Sequence, residues 1–160
     1  MKEGEIQSKE PREIKLVNAE IEKYKLDDND IIAIRVNGSK ELVGRFVLVN
    51  TKDEWAFCDH FIRIRLDKKR VLPKLIKYYA ESRAVRRFIE LNMVSSAGQN
   101  TISQTTLSSI EVSLPPIEEQ HNIVQAIESR LSVADKMEES ITQSLQQADV
   151  SVPFFRSVLN

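Results

Sequence analysis

A single cysteine, Cys58, denies this chain an internal disulfide framework, and such usage suits a reducing compartment. Long apolar runs are missing as well. None approaches the roughly 18 residues that cross a bilayer, and the N-terminus lacks the apolar core of a secretion signal. A membrane partner is therefore not expected, and the cytoplasm is the expected location. Without a secretion signal, the sequon Asn37-Gly38-Ser39 is a chance match. The four glycines form neither a P-loop nor a dinucleotide-binding pattern, and no metal-ligand spacing occurs. Histidine is confined to His60 and His121. Cys58-Asp59-His60 draws the eye, but strand alternation puts Cys58 and His60 on one face without Asp59 between them. No catalytic residue, metal or cofactor is expected, so the chain reads as a binding protein and not an enzyme.

Net charge is lacking too, at -1 over 160 residues, yet its distribution is uneven. From Arg63 to Arg87 ten basic residues face only Asp67 and Glu81. Beyond Pro116 the balance reverses, with Glu118, Glu119, Glu128, Asp135, Glu138, Glu139 and Asp149 against Arg130 and Lys136. A neutral total thus combines a basic globule with an acidic helix. The basic part can hold phosphates, which attract Lys and Arg whatever the base sequence. A solvated helix face is the alternative.

With 41% apolar residues the chain can bury a core. Residues up to Pro11 read as a frayed lead-in. Ile31 to Arg35 and Leu42 to Val49 read as strands, with Asn37-Gly38 as the turn between them. Phe61 to Leu66 is a further strand. Pro73 opens a helix with an apolar stripe, and Ser82 caps a second one carrying Val85, Phe88, Ile89 and Leu91. Ser95 to Asn100 reads as a polar loop, and Ile110 to Leu114 as a final strand. The expected fold class is α+β, a mixed sheet with short helices over residues 1–115, followed by a long helix over residues 116–160.

Leu114-Pro115-Pro116-Ile117-Glu118-Glu119-Gln120 ends the globule and starts that helix, and no proline or glycine follows until Pro153. Val124, Leu131, Glu138, Leu145 and Val152 recur on one heptad position, and Ile127, Ala134, Ile141 and Ala148 on the other. This 4–3 spacing is a coiled-coil seam interrupted by Glu138, beside which Met137 can fill in. At about 1.5 Å per residue the helix is about 50 Å long. The globule is too small to cover such a stripe, so pairing with another helix is predicted, the alternative being a fold-back onto the chain's own domain.

Several of these blocks, in order, resemble the DNA-specificity (S) subunit of type I restriction–modification systems. They are Leu26 to Ser39, Glu41 to Arg45, Phe61-Ile62-Arg63, Ser95 to Ser103, and Leu114 to Gln120 with Ile123-Val124 and Ile127-Glu128. The resemblance implies a target recognition domain, here its later part, followed by a helix that pairs antiparallel with a second one and docks methyltransferase (modification) subunits. It also implies that methyl transfer and cleavage reside in partner subunits. Double-stranded DNA is the implied ligand, and a second copy or second half-subunit the implied helix partner. The alternative is a truncated fragment that only mediates assembly.

Base reading needs side chains that reach base edges, with phosphate contacts fixing the register. Asn37, flanked by Arg35, Gly38 and Ser39, offers such groups, since Asn suits adenine and Arg suits guanine. The alternative is that Asn37-Gly38 only shapes a turn. Ser96, Gly98, Gln99 and Asn100 offer hydroxyl, amide and backbone donors, read as scaffold or phosphate contacts, with Gln99 alternatively tying the loop to the helix start. Arg45 and Arg63 are candidate phosphate contacts unless alternation turns them to solvent.

Overall fold

A computed structural model describes Lys15, residues 17–51 and residues 53–150, the side chains of Ala19 and residues 148–150 excepted. The expected lead-in up to Pro11, the seam residue Ala148 as a side chain, and the final ten residues lie outside the described residues. The chain divides into two units after Gln120.

The first unit runs α1 (Asn18–Tyr24), β1 (Lys25–Leu26), β2 (Ile31–Ile34), β3 (Val36–Asn37), β4 (Phe46–Leu48), β5 (Trp55–Ala56) and β6 (Phe61–Ile64). It continues through α2 (Pro73–Ala80), α3 (Arg83–Asn92), β7 (Val94–Ser96), β8 (Gln99–Thr101) and α4 (Gln104–Ser108). The long α5 (Ile117–Val150) starts in this unit and forms the described part of the second. The α+β class holds. The expected single mixed sheet does not: among the described residues three small sheets, β1-β5, β4-β2-β6 and β3-β8-β7, are all antiparallel. The tight connection from Ser96 to Gln99 forces β7 and β8 to pair antiparallel, because parallel pairing needs a crossover of a dozen residues or more.

The apolar run at β2 follows from its central place. Alternation sends Ile31 and Ala33 into the main core with Val43, Phe46, Ile76 and Ile89. Ile32, on the other face, joins Leu26 and Val49 in a second core flanked by Trp55, Phe57 and Phe61. Each fully buried isoleucine contributes about 1.5–3 kcal/mol. Pro73 stands at the start of α2, and the Ser82 hydroxyl caps α3 by accepting from the Val85 N–H. Val85 and Ile89 fix α3 to the core.

The span from Leu42 to Val49 is a strand only over Phe46–Leu48. Upstream, the chain turns through Leu42 N–H to Ser39 O and Arg45 N–H to Leu42 O, with Gly44 at φ +69°. A Cβ on Gly44 would fall 2.7 Å from Ile89 Cγ2, so the missing side chain is what lets α3 pack against this turn. Ile110 to Leu114 forms no ladder, although Ile110 and Val112 pack against the core. Nor is Cys58-Asp59-His60 strand. Asp59 and His60 sit in a turn, where the His60 carbonyl accepts from Arg35 N–H at 2.8 Å.

Candidate nucleic-acid interface

Residues 35–39 and 95–101 are far apart in sequence and meet in the β3-β8-β7 sheet. Val36 pairs with Thr101 and Asn37 with Asn100, while β7 folds back on β8. The expected polar loop is thus a hairpin, closed by Ala97 at φ +48° and Gly98 at φ +79°. Positive φ at both central residues is the signature of a type I′ turn, whose twist matches that of the strands. Asn37-Gly38 is not the hairpin turn between β2 and β4. Its φ angles are not positive, and it lies against the real hairpin, with a Cβ on Gly38 falling 3.8 Å from Gly98 O.

Asn100 holds this juncture together. Only 5% exposed, its amide donates to Gly38 O at 2.9 Å and Asn37 O at 3.3 Å, while its Oδ1 accepts from the Ser95 hydroxyl at 2.6 Å. It is scaffold. Asn37 Oδ1 accepts from Ser39 N–H at 2.8 Å, so this side chain does shape a local turn. Of the predicted site residues, those exposed at the juncture are Arg35, Gly38, Ser39, Ser96, Gly98 and Gln99.

The other predicted arginines have internal partners. Arg45 forms an ion pair with Glu81 at 2.8 Å and donates to Glu41 O. Arg63 donates to the carbonyls of Glu22 and Lys25 and lies over the Phe57 ring. Arg35 reaches Asp59 O at 3.4 Å and stays exposed.

Two further polar centres escaped sequence reading. Asp30, 1% exposed, accepts bidentately from Arg65 at 2.9 and 2.7 Å and from Asp27 N–H at 2.9 Å. Burial pushes its carboxyl up, but the Arg65 hydrogen bonds, the Asp27 N–H and nearby guanidinium charge outweigh this and hold it below its ordinary value. Nothing local between Leu26 and Ser39 points to Arg65. Gln120 is likewise 1% exposed. Its Oε1 accepts from Leu72 N–H at 2.9 Å, and its Nε2 donates to Arg70 O at 2.9 Å and Pro115 O at 2.8 Å. The tie to the helix start, the alternative expectation for Gln99, is made by Gln120, while Gln99 is exposed on the hairpin.

In the second unit α5 is continuous across the predicted seam. Val124 is buried and Ile127 half-buried, while Leu131, Ile141 and Leu145 are 42%, 61% and 66% exposed and Ala134 is exposed. Met137, beside Glu138, is 62% exposed. Among the described residues no group of three His, Cys, Asp or Glu side chains is arranged to hold a metal, and no helix is long and apolar enough to cross a membrane.

Comparison with known proteins gives the family. Residues 6–147 match the family described as type I restriction modification DNA specificity domain. The chain is 40% identical over 139 residues to the type I restriction enzyme StySPI specificity subunit of Salmonella potsdam, covering 86% of this chain and 30% of that protein. It is 30% identical over 148 residues to the EcoKI specificity subunit of Escherichia coli K12, covering 91% and 32%. A putative MjaX specificity subunit of Methanocaldococcus jannaschii is 23% identical over 137 residues. The chain thus spans about a third of the length of these relatives. On the extent of the family match, it belongs to the type I restriction modification DNA specificity domain family.

Proposed function

We propose that this chain is a non-catalytic DNA-recognition module of a cytoplasmic type I restriction–modification system. It combines the later part of one target recognition domain with a helix that pairs and docks methyltransferase subunits. The observation that carries the reading is the β3-β8-β7 juncture. There a buried amide, Asn100, and a type I′ hairpin present Arg35, Ser39, Ser96 and Gln99 on short, stiff loops. Base reading asks for rigidly held short polar groups and arginine, because each bidentate contact tolerates little positional error. The hairpin glycine at φ +79° has nothing within 4 Å of its missing Cβ, which leaves room for a close approach to sugar or phosphate. Asn37 and Asn100 hold this surface in shape. Arg45 and Arg63, tied to Glu81 and to the carbonyls of Glu22 and Lys25, serve the fold before they serve any phosphate.

The helix supports the second half of the reading. Leu131, Ile141 and Leu145 are too exposed for a helix whose seam is already covered. An antiparallel partner suits this seam. A parallel homodimer would stack Glu138 on its own copy, two like charges in a partly desolvated layer. Antiparallel pairing of a second copy in the register that stacks Leu131 on the partner's Ile141 sets Glu138 opposite the small Ala134 instead. The partner is a second copy or the second half-subunit of a longer protein.

Selection from a random duplex pool tests the recognition claim. The reading predicts enrichment of a defined base pattern by the full chain, alone or with its modification subunits. A chain that assembles with those subunits yet enriches nothing is the assembly fragment of the alternative reading.

A further inference from the structure

Helix α3 carries two arginines unlike most of the others in the globule. Arg35, Arg45, Arg63, Arg65 and Arg86 all donate to carbonyls or carboxylates of the chain, Arg86 to Val43 O at 3.1 Å and Glu41 O at 3.0 Å. Arg83 and Arg87 are exposed and have no hydrogen-bond or ion-pair partner among the described residues. They are four residues apart and Leu91 is four further on, so the three side chains follow one face of the helix. Val85 and Ile89 bury the opposite face.

This stripe is unfavourable in isolation. Like charges at this spacing oppose a helix by a few tenths of a kcal/mol, about 0.2–0.5. Leu91 is 73% exposed and Val94, just beyond the helix, 67%. Only Met93 separates α3 from β7, so the stripe runs directly into the hairpin of the recognition surface. Two unpaired guanidinium groups about 5–6 Å apart at their Cβ atoms, followed by an apolar edge, complement consecutive phosphates and the sugar beside them.

We propose that Arg83, Arg87 and Leu91 form the strip by which this globule sits on the DNA backbone, fixing the register of the β7–β8 hairpin while carrying no sequence information. The proposal rests on the DNA-recognition reading above. The division of labour is explicit: α3 grips phosphate, and the sheet juncture reads.

The test uses the full chain and the double variant R83Q/R87Q, with binding measured by fluorescence anisotropy across a salt series. The probes are a mixed-sequence duplex and the duplex enriched by the wild-type chain. Loss of two phosphate contacts lowers the slope of log K against log salt by about 1.8, at about 0.9 per contact. Affinity for both duplexes falls by the same factor, and the ratio between them is kept. R83K/R87K restores most of the slope, since a phosphate accepts either point charge. Neither change disturbs the thermal melt, because neither side chain holds the fold. An unchanged slope overturns the proposal, as does a lost preference at an unchanged slope, which would make the arginines base readers. Unchanged DNA binding with lost co-elution of modification subunits assigns the strip to a protein partner and overturns it as well. A wild-type chain that binds neither duplex removes the DNA-recognition reading and the strip together.

Discussion

Asp30 closes a tight turn whose backbone is bonded on both sides to Val49, through Asn29 N–H to Val49 O and Val49 N–H to Asp30 O, each 2.8 Å. Asn29 takes φ +65° there, a conformation that asparagine tolerates better than most residues. The Arg65 pair and the Asp27 N–H satisfy the buried carboxylate on every side. Because its folded pKa is depressed, the ionised pair contributes stability above the ordinary carboxylate range. That contribution is lost as pH falls through the lower folded value. Urea midpoints are therefore expected to drop once pH goes below about 4. Asp30→Asn removes about 2 kcal/mol at neutral pH, the scale of charged hydrogen bonds, and flattens the acid limb. A variant with wild-type acid sensitivity would place that sensitivity elsewhere. Such residues were illegible in sequence because acid and base lie 35 positions apart, and local pattern does not announce which arginine a carboxylate meets.

At the scale of elements, the signals that depend on neighbours in sequence served best. Pro73 and Ser82 stand where proline and serine belong at helix starts, and α5 begins just after Pro115-Pro116, as their chemistry dictates. The turn assignments were less reliable. Asn37-Gly38 is the stronger hairpin signal in isolation, yet the hairpin forms at Ala97-Gly98. Pairing of β3 with β8 captured residue 37, and a long-range ladder outweighs a local turn preference. Of the proposed recognition surface, the sequence displayed the polar residues but not their division into buried scaffold and exposed face. Gln120 is the corresponding omission at the helix start. Its three bonds join the segment before α2 to the Pro-Pro junction. Gln120→Ala leaves Leu72 N–H and Arg70 O without their partner and is expected to cost about 1–3 kcal/mol in chemical denaturation. Gln120→Glu keeps the shape but sets a buried carboxylate against the Arg70 and Pro115 carbonyl oxygens, and is expected to cost at least as much as alanine at neutral pH. Equal stability of all three chains would mean that water replaces the amide and that the tie is incidental.

For the whole molecule, periodicity made the helix legible over nearly its full length, because heptad spacing needs no tertiary information. What would cover the seam is another matter, since one chain does not display a partner. The exposed seam predicts that sedimentation at rising concentration reports association of the wild-type chain and a monomer for Leu131→Asp, with helix content retained. Identical hydrodynamics for the two would leave the seam without a role in self-association. Recognition of DNA is the central claim, and equilibrium binding across salt is its most direct measurement. The duplex enriched by this chain is compared with the same duplex after its bases are scrambled. Phosphate contacts weaken equally for both as salt rises, whereas base contacts do not depend on counterion release. The account predicts that the ratio of the two affinities persists as salt rises. A ratio that starts at or falls to unity, with both duplexes lost in parallel, would contradict it.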